Sequence, residues 1–253
     1  MLRHLTTLLA LVALLAFAGC GDDDSDSGDK GSDTAPAADA TTPTETAETD
    51  TATETATETS AADAPGRSKC VEVEEAPFPK EDGGQTPPKG KLDPARTYEI
   101  AFRTSCGNFT VRLDVEGAPN TTASLASLTR KKFFDDTTFH RIVPGFVIQG
   151  GDPTGAGSGG PGYKTVDVPP ADATYPLGIV AMGKTGAEPK GTSGSQFFVV
   201  TGKKVPLTPD YAIVGEIVDG MDTVMRIEKL GDPAGGGAPS QPVVIEKATL
   251  RTS

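Results

Sequence analysis

Histidine is nearly absent from this chain. Of 253 residues two are histidines, His4 and His140, and His4 lies in a leader expected to be removed. One remaining imidazole cannot build a multi-His metal site, and Cys20, Cys70 and Cys106 form no cluster that could replace it. No serine stands in a G-x-S-x-G elbow. A Ser-His-acid triad would have only His140 to draw on, and nothing places a serine beside it. Neither a metal nor a cofactor is expected. Tryptophan is missing altogether, and so is any basic excess: residues 66–253 hold 21 Lys and Arg against 22 Asp and Glu. A near-neutral domain has no electrostatic footprint for nucleic acid.

The net charge of −12 belongs to one segment. Residues 22–65 carry 13 Asp and Glu against a single Lys, with no aromatic residue and no Leu, Ile or Val. Such a composition cannot bury enough apolar surface to offset its ordering entropy. Residues 21–66 therefore read as a disordered acidic Thr/Ala/Glu-rich linker, a tether of roughly 35–40 Å r.m.s. length. Ahead of it, Arg3 precedes the apolar run LTTLLALVALLAFAG and then Cys20. Residues 1–20 thus have the parts of a secretory signal peptide, and the run is short for a bilayer span. Cys20 directly after Ala18-Gly19 resembles the lipobox of bacterial lipoproteins, although Phe17 stands where Leu is usual. That resemblance implies diacylation of Cys20 and an extracytoplasmic protein lipid-anchored to the cell membrane; an ordinary secreted protein cut nearby is the alternative. In an oxidising compartment Cys70 and Cys106 are expected to form a disulfide, stapling residues 67–96 to the main domain. Two buried free thiols are the alternative.

Residues 67–96, rich in Pro, Lys and Glu, show little periodicity and read as an irregular extension. From residue 97 to 253 the texture is that of one folded domain. YEIAFRTSCGNFTVRLD alternates on both sides of Ser-Cys-Gly-Asn, which predicts a hairpin. In APNTTASLASLTRKK, Pro119 sits early, Asn and Thr are cap candidates, and Ala123, Leu125 and Leu128 recur at helical spacing, predicting a helix near 119–131. A second helix is predicted near 220–228. TFHRIVPGFVIQGGD is strand-like about Pro144-Gly145, GDPTGAGSGGPGY is a long Gly loop, and GIVAMG, SQFFVVTG and YAIVGEIV are short strand-like runs. Many short strands with two helices suggest a β-barrel rather than βαβ units.

Two patterns point elsewhere and fail on context. Gly178 to Thr185 matches the phosphate loop G-x-x-x-x-G-K-T, and GAGSGG at 155–160 matches G-x-G-x-x-G. A phosphate loop needs a helix after the turn, its N-terminus facing the phosphates. Here Ile-Val-Ala-Met belongs in a strand, and GAEPKGTSGS after Thr185 has no helical pattern. Nucleotide binding is therefore not expected.

Phe139-His140-Arg141-Ile142-Val143-Pro144-Gly145-Phe146-Val147-Ile148-Gln149-Gly150-Gly151-Asp152, followed by Gly194-Ser195-Gln196-Phe197-Phe198-Val199, resembles the cyclophilins, the cyclophilin-type peptidyl-prolyl cis–trans isomerases. The likeness runs from about Tyr98 to the end of the chain. It implies a mainly β fold, an eight-stranded antiparallel β-barrel capped by two α-helices, acting as a monomer on proline-containing polypeptides. It further implies that Arg141 reaches the prolyl amide. Phe146, Phe198 and Leu207 would hold the proline ring, while Gln149 and Gln196 hold substrate backbone and position Arg141. Val147, Met182, Gly183, Lys184 and Tyr211 would line the peptide groove. Several positions depart from the best-known eukaryotic members: Val147 replaces Met, Gly183-Lys184 replaces Ala-Asn, Pro206 replaces Trp and Tyr211 replaces His. Phe197 is expected in the core, since neighbouring strand residues face opposite ways, and His140 is expected to be structural. The implied activity is assistance to the folding of exported proteins; a non-catalytic proline-peptide binding module or chaperone for an envelope partner is the alternative.

Overall fold

Only Ser105 and Cys106 separate β1 (Tyr98–Thr104) from β2 (Gly107–Leu113), the hairpin that the alternation predicts. The computed structural model describes residues 67–253 except 233 and 235; the leader, Cys20 and the linker lie outside the described residues. Along the chain follow α1 (Pro119–Arg130), β3 (Thr137–Thr138), β4 (Arg141–Val143), β5 (Val147–Gly150), β6 (Thr165–Val166) and β7 (Ile179–Met182). Then come β8 (Thr192–Ser193), β9 (Phe197–Val200), β10 (Ile213–Asp219), α2 (Met221–Glu228) and β11 (Val244–Thr252). Among the described residues no helix is long and apolar enough to cross a membrane.

The main sheet has nine strands in the order β3-β11-β1-β2-β10-β7-β9-β5-β4, and β6 pairs with β8 apart from it. The expected count is eight. The difference lies at Phe139-His140, which interrupts the run from Thr137 to Val143. Its first part pairs with β11 at one end of the sheet order and its second part with β5 at the other. Taken as one broken strand, this run brings the count to eight and joins both ends of the curled antiparallel sheet.

The pleat sorts side chains onto two faces. Ile142, Ile148, Val199 and Val180 lie opposite one another across β4, β5, β9 and β7, and all are buried in the main core. With no tryptophan, phenylalanine fills the interior. Phe102 stacks on Phe109 with centroids 4.9 Å apart, and Phe197 lies 5.3 Å from Phe102 and 6.0 Å from Phe134 and from Phe139.

Helix α1 is buried almost throughout. Pro119 opens it, where a missing N–H costs nothing. Its cap differs from the expected local one: Ala118 holds the N-cap position without a side-chain bond. The carboxylate of Asp167 instead accepts from the Thr121 N–H at 2.7 Å and the Asn120 side chain at 2.8 Å, placing negative charge at the helix N-terminus. Buried hydroxyls of Thr122 and Thr129 donate to the carbonyls of Ala118 and Leu125, each at 2.8 Å. Helix α2 fastens the turn after β4: the Gly145 N–H donates to Glu228 Oε1 at 2.7 Å.

Residues 67–96 contain no helix or strand. Cys70 and Cys106 are joined by a disulfide, and the Val71 N–H donates to the Ser105 carbonyl at 2.8 Å.

Candidate functional site

On the face opposite the main core, one row of cross-strand partners runs Arg141, Gln149, Phe198, Ala181, Ile213 over β4, β5, β9, β7 and β10. Directly opposed residues share a face, so Arg141 and Gln149 stand beside an apolar patch. That patch is a second cluster of Val147, Tyr175, Ala181, Phe198 and Val200, with Phe146, Leu207 and Tyr211 packed partly buried against it. Phe146, Phe198 and Leu207, the trio assigned to the proline ring, therefore meet in one cluster. Phe198 is nearly closed over and forms its floor, edge-on to Tyr211 at 5.6 Å. Val147 is also buried and supports the floor. Phe197, one residue away, lies in the main core.

Polar groups border the patch. The Arg141 guanidinium carbon sits 5.9 Å from the Phe146 ring centroid, a cation–π distance. A Cβ added to Gly237 would fall 2.9 Å from Arg141 Cγ, so the bare backbone there backs the arginine stem. The Gly237 carbonyl also accepts from the Ile142 N–H at 2.7 Å. Gln149 Nε2 donates to Gln196 Oε1 at 2.9 Å, and Gln196 Nε2 donates to the Gly159 carbonyl at 2.9 Å. The Gly183 N–H donates to the Gln196 carbonyl at 2.8 Å.

The groove assignment of Met182 changes. Met182 is fully buried in the main core and lies opposite Phe197. Its side chain therefore points inward, and Ala181 takes the outer position. Lys184 Nζ donates to the carbonyls of Thr185 and Glu188 at 3.1 and 3.0 Å and lies 5.5 Å from the Tyr211 ring centroid. Glu188 is bridged to Lys164 at 2.8 Å. The hydrogen bond from Lys164 and that from the Thr185 backbone hold its carboxyl below the ordinary range. The stretch Gly178–Thr185 is strand β7 followed by a turn, with no helix after it.

Residues to which the sequence reading assigns no role support the site. Tyr175 Oη donates to the Tyr211 carbonyl at 2.8 Å and accepts from the Tyr211 N–H at 3.1 Å, fixing that residue beside Phe198. Asp152 organises the Gly loop by accepting from the Thr154 N–H and hydroxyl at 2.7 and 2.8 Å and from the Gly159 N–H at 3.1 Å. Burial would raise its carboxyl, but the bonds from Thr154, Gly159 and Gly157 outweigh it and hold it below 3.8. Among the described residues no group of three or more His, Cys, Asp or Glu side chains could hold a metal.

His140 is set against this loop with both ring nitrogens buried and unpartnered among the described residues. Burial keeps it below its ordinary 6.5; Asp152 opposes that shift and Arg141 adds to it. The unfolded chain binds a proton near pH 6.5 that the folded one refuses, so His140 subtracts stability as pH falls from about 6.5 toward its lowered folded value. Asp152 does so only below about 3.8, where its stabilisation is lost. We predict that urea midpoints fall between pH 7 and 5 in the wild type, and that His140→Gln flattens this decline. An unchanged slope in the variant would show that His140 does not cause it.

The family described as "Cyclophilin type peptidyl-prolyl cis-trans isomerase/CLD" matches residues 99–250. Peptidyl-prolyl cis-trans isomerase A of Mycobacterium tuberculosis (strain ATCC 25618 / H37Rv) is 35% identical over 176 residues, covering 62% of this chain and 94% of that protein. Peptidyl-prolyl cis-trans isomerase-like 1 of Aspergillus oryzae is 38% identical over 133 residues, covering 51% of this chain and 81% of that one. The crystal structure of a Cryptosporidium parvum cyclophilin-type isomerase superposes with a TM-score of 0.56 at 28% identity, over 61% of this chain and 98% of that one. The same C. parvum protein has also been crystallised in the presence of the dipeptide Ala-Pro.

Proposed function

Since the chain belongs to the cyclophilin-type peptidyl-prolyl cis–trans isomerases, we propose that the row led by Arg141 is where it rotates X–Pro bonds. The observation that carries this assignment is the register: it sets Arg141 and Gln149 side by side on the edge of an apolar patch.

The partial double-bond character of the amide sets a barrier of about 18–20 kcal/mol. Rotation needs no nucleophile, no proton transfer and no redox step. At the twisted transition state the proline nitrogen pyramidalises and gains a lone pair. A donor that bonds this nitrogen binds the transition state more strongly than the ground state, which lowers the barrier. Arg141 supplies a planar fork of charged N–H donors. Phe146 and Leu207 grip the proline ring over the Phe198 floor while the preceding carbonyl swings. Gln149 and Gln196 bind substrate backbone beside the arginine. Titrating an Ala-Pro peptide tests the placement by NMR. The side-chain amide resonances of Gln149 and Gln196 should shift first; shifts confined to another face would refute it.

The same proposal places the enzyme outside the cytoplasm, tethered through a lipid on Cys20, with exported polypeptides as substrates. The charged start, short apolar run and Ala18-Gly19-Cys20 junction support this reading, as does the acidic linker. Intact-mass measurement should find a diacylated N-terminal Cys20; an unmodified N-terminus downstream of it would contradict the anchor.

A further inference from the structure

Residues 67–96 precede the matched region and form neither helix nor strand, yet they are fastened along the barrel. The disulfide holds their start. The Lys80 N–H donates to the Pro153 carbonyl at 2.8 Å, and its ammonium to the carbonyls of Lys132, Phe133 and Asp135. The next residues lie along the Gly loop. Asp82 Oδ1 accepts from the Gly160 N–H at 2.8 Å, the Gly83 N–H donates to the Gly160 carbonyl at 2.9 Å, and the Gln85 N–H to the Pro161 carbonyl at 3.0 Å. A Cβ on Gly162 would lie 2.9 Å from Gly83 Cα, so the two backbones meet with no room for a side chain.

One of these bonds bears on the site. The Gly160 N–H held by Asp82 belongs to the same peptide unit as the Gly159 carbonyl, which accepts from Gln196 Nε2. A peptide unit is planar and trans, so holding its N–H toward the extension aims its carbonyl the other way, at Gln196. Glycine on both sides leaves this plane easy to rotate unless something holds it. The carbonyl can only accept, so Gln196 must present its NH2 group to it and its oxygen to Gln149. Gln149 then donates to that oxygen and keeps its own carbonyl oxygen to take a donor, on the residue directly opposite Arg141. A reversed plane would reverse both amides and set a donor beside the cation.

We infer that Asp82 is a positioning residue for isomerisation: through the Gly159–Gly160 peptide it sets the direction of the Gln196–Gln149 hydrogen-bond chain. This rests on reading the Arg141 face as the site of isomerisation. The carboxylate also polarises the peptide it holds, strengthening the Gly159 carbonyl as an acceptor.

The test uses the full chain and an Ala-Pro peptide, with rates from NMR exchange. Asp82→Ala should lower kcat/KM by about three- to tenfold, with an unchanged urea midpoint and shifted Gln196 side-chain amide resonances. Asp82→Asn, whose Oδ1 still accepts, should restore most of the rate. In a Gln196→Ala background the Asp82→Ala change should have no further effect. A wild-type rate in Asp82→Ala, an equal loss with and without Gln196, or a loss that follows the urea midpoint would overturn the inference. Arg141→Ala is measured alongside. If it keeps the wild-type rate, the site assignment fails and the inference with it; if it collapses while Asp82→Ala does not, the inference alone fails.

Discussion

Arg141→Ala should slow catalysed X–Pro exchange by about ten- to a hundredfold while peptide affinity changes little. A hydrogen bond to a charged group is worth roughly 1.5–3 kcal/mol, and each 1.36 kcal/mol is about tenfold in rate. The affinity is spared because the proline nitrogen offers its lone pair only when twisted, whereas the ring is held by the cluster of Phe146, Leu207 and Phe198 in both states. Arg141→Lys keeps the charge but loses the planar fork and its contact with Phe146, so its rate should fall between the two. Exchange spectroscopy gives the rate and a shift titration the affinity. Equal losses in both would mean that Arg141 binds ground and transition states alike, and the assigned role would be wrong.

Phe197→Ala should cost about 3–5 kcal/mol of stability, the usual range for removing a buried Phe from a packed core. The ring touches three others, Phe102, Phe134 and Phe139, in an interior with no tryptophan to fill the gap. For a domain of this size that loss lowers the melting temperature by roughly 6–20 °C. Phe198→Ala opens a cluster on the other face, so its larger effect should be on the rate. Urea unfolding of both variants checks the contrast; a cost under about 1 kcal/mol for Phe197→Ala would contradict the inner placement.

That neighbouring pair shows what the sequence carries and what it conceals. The hairpin at Ser105-Cys106 and both helices are legible because alternation, Pro119 and helical spacing are local signals. Parity in the apolar runs is harder to read. Ile-Val-Ala-Met is apolar on both faces because one face closes the main core and the other supports the cluster under Tyr211. Nothing local then says which way Met182 points, and it points in. Strand β11 lies beyond the runs singled out in the sequence, although every residue of β1 pairs with it. Other features are non-local by nature. The α1 cap comes from Asp167, 46 residues after Thr121. Asp82 stands in an aperiodic stretch, and its acceptor role exists only once the Gly loop lies beside it. The site residues on strands could be placed from the FHRIVPGFVIQGGD and GSQFF blocks; of the supports behind them, Tyr175 and Gly237 had no such signal, and Asp152, which ends the first block, was given no role.

The most direct measurement is NMR exchange spectroscopy on an Ala-Pro peptide with catalytic amounts of the chain. The account predicts cis–trans exchange cross-peaks at mixing times where the peptide alone shows none, since uncatalysed isomerisation takes tens to hundreds of seconds. A folded wild-type chain that leaves the exchange at its uncatalysed rate would contradict it.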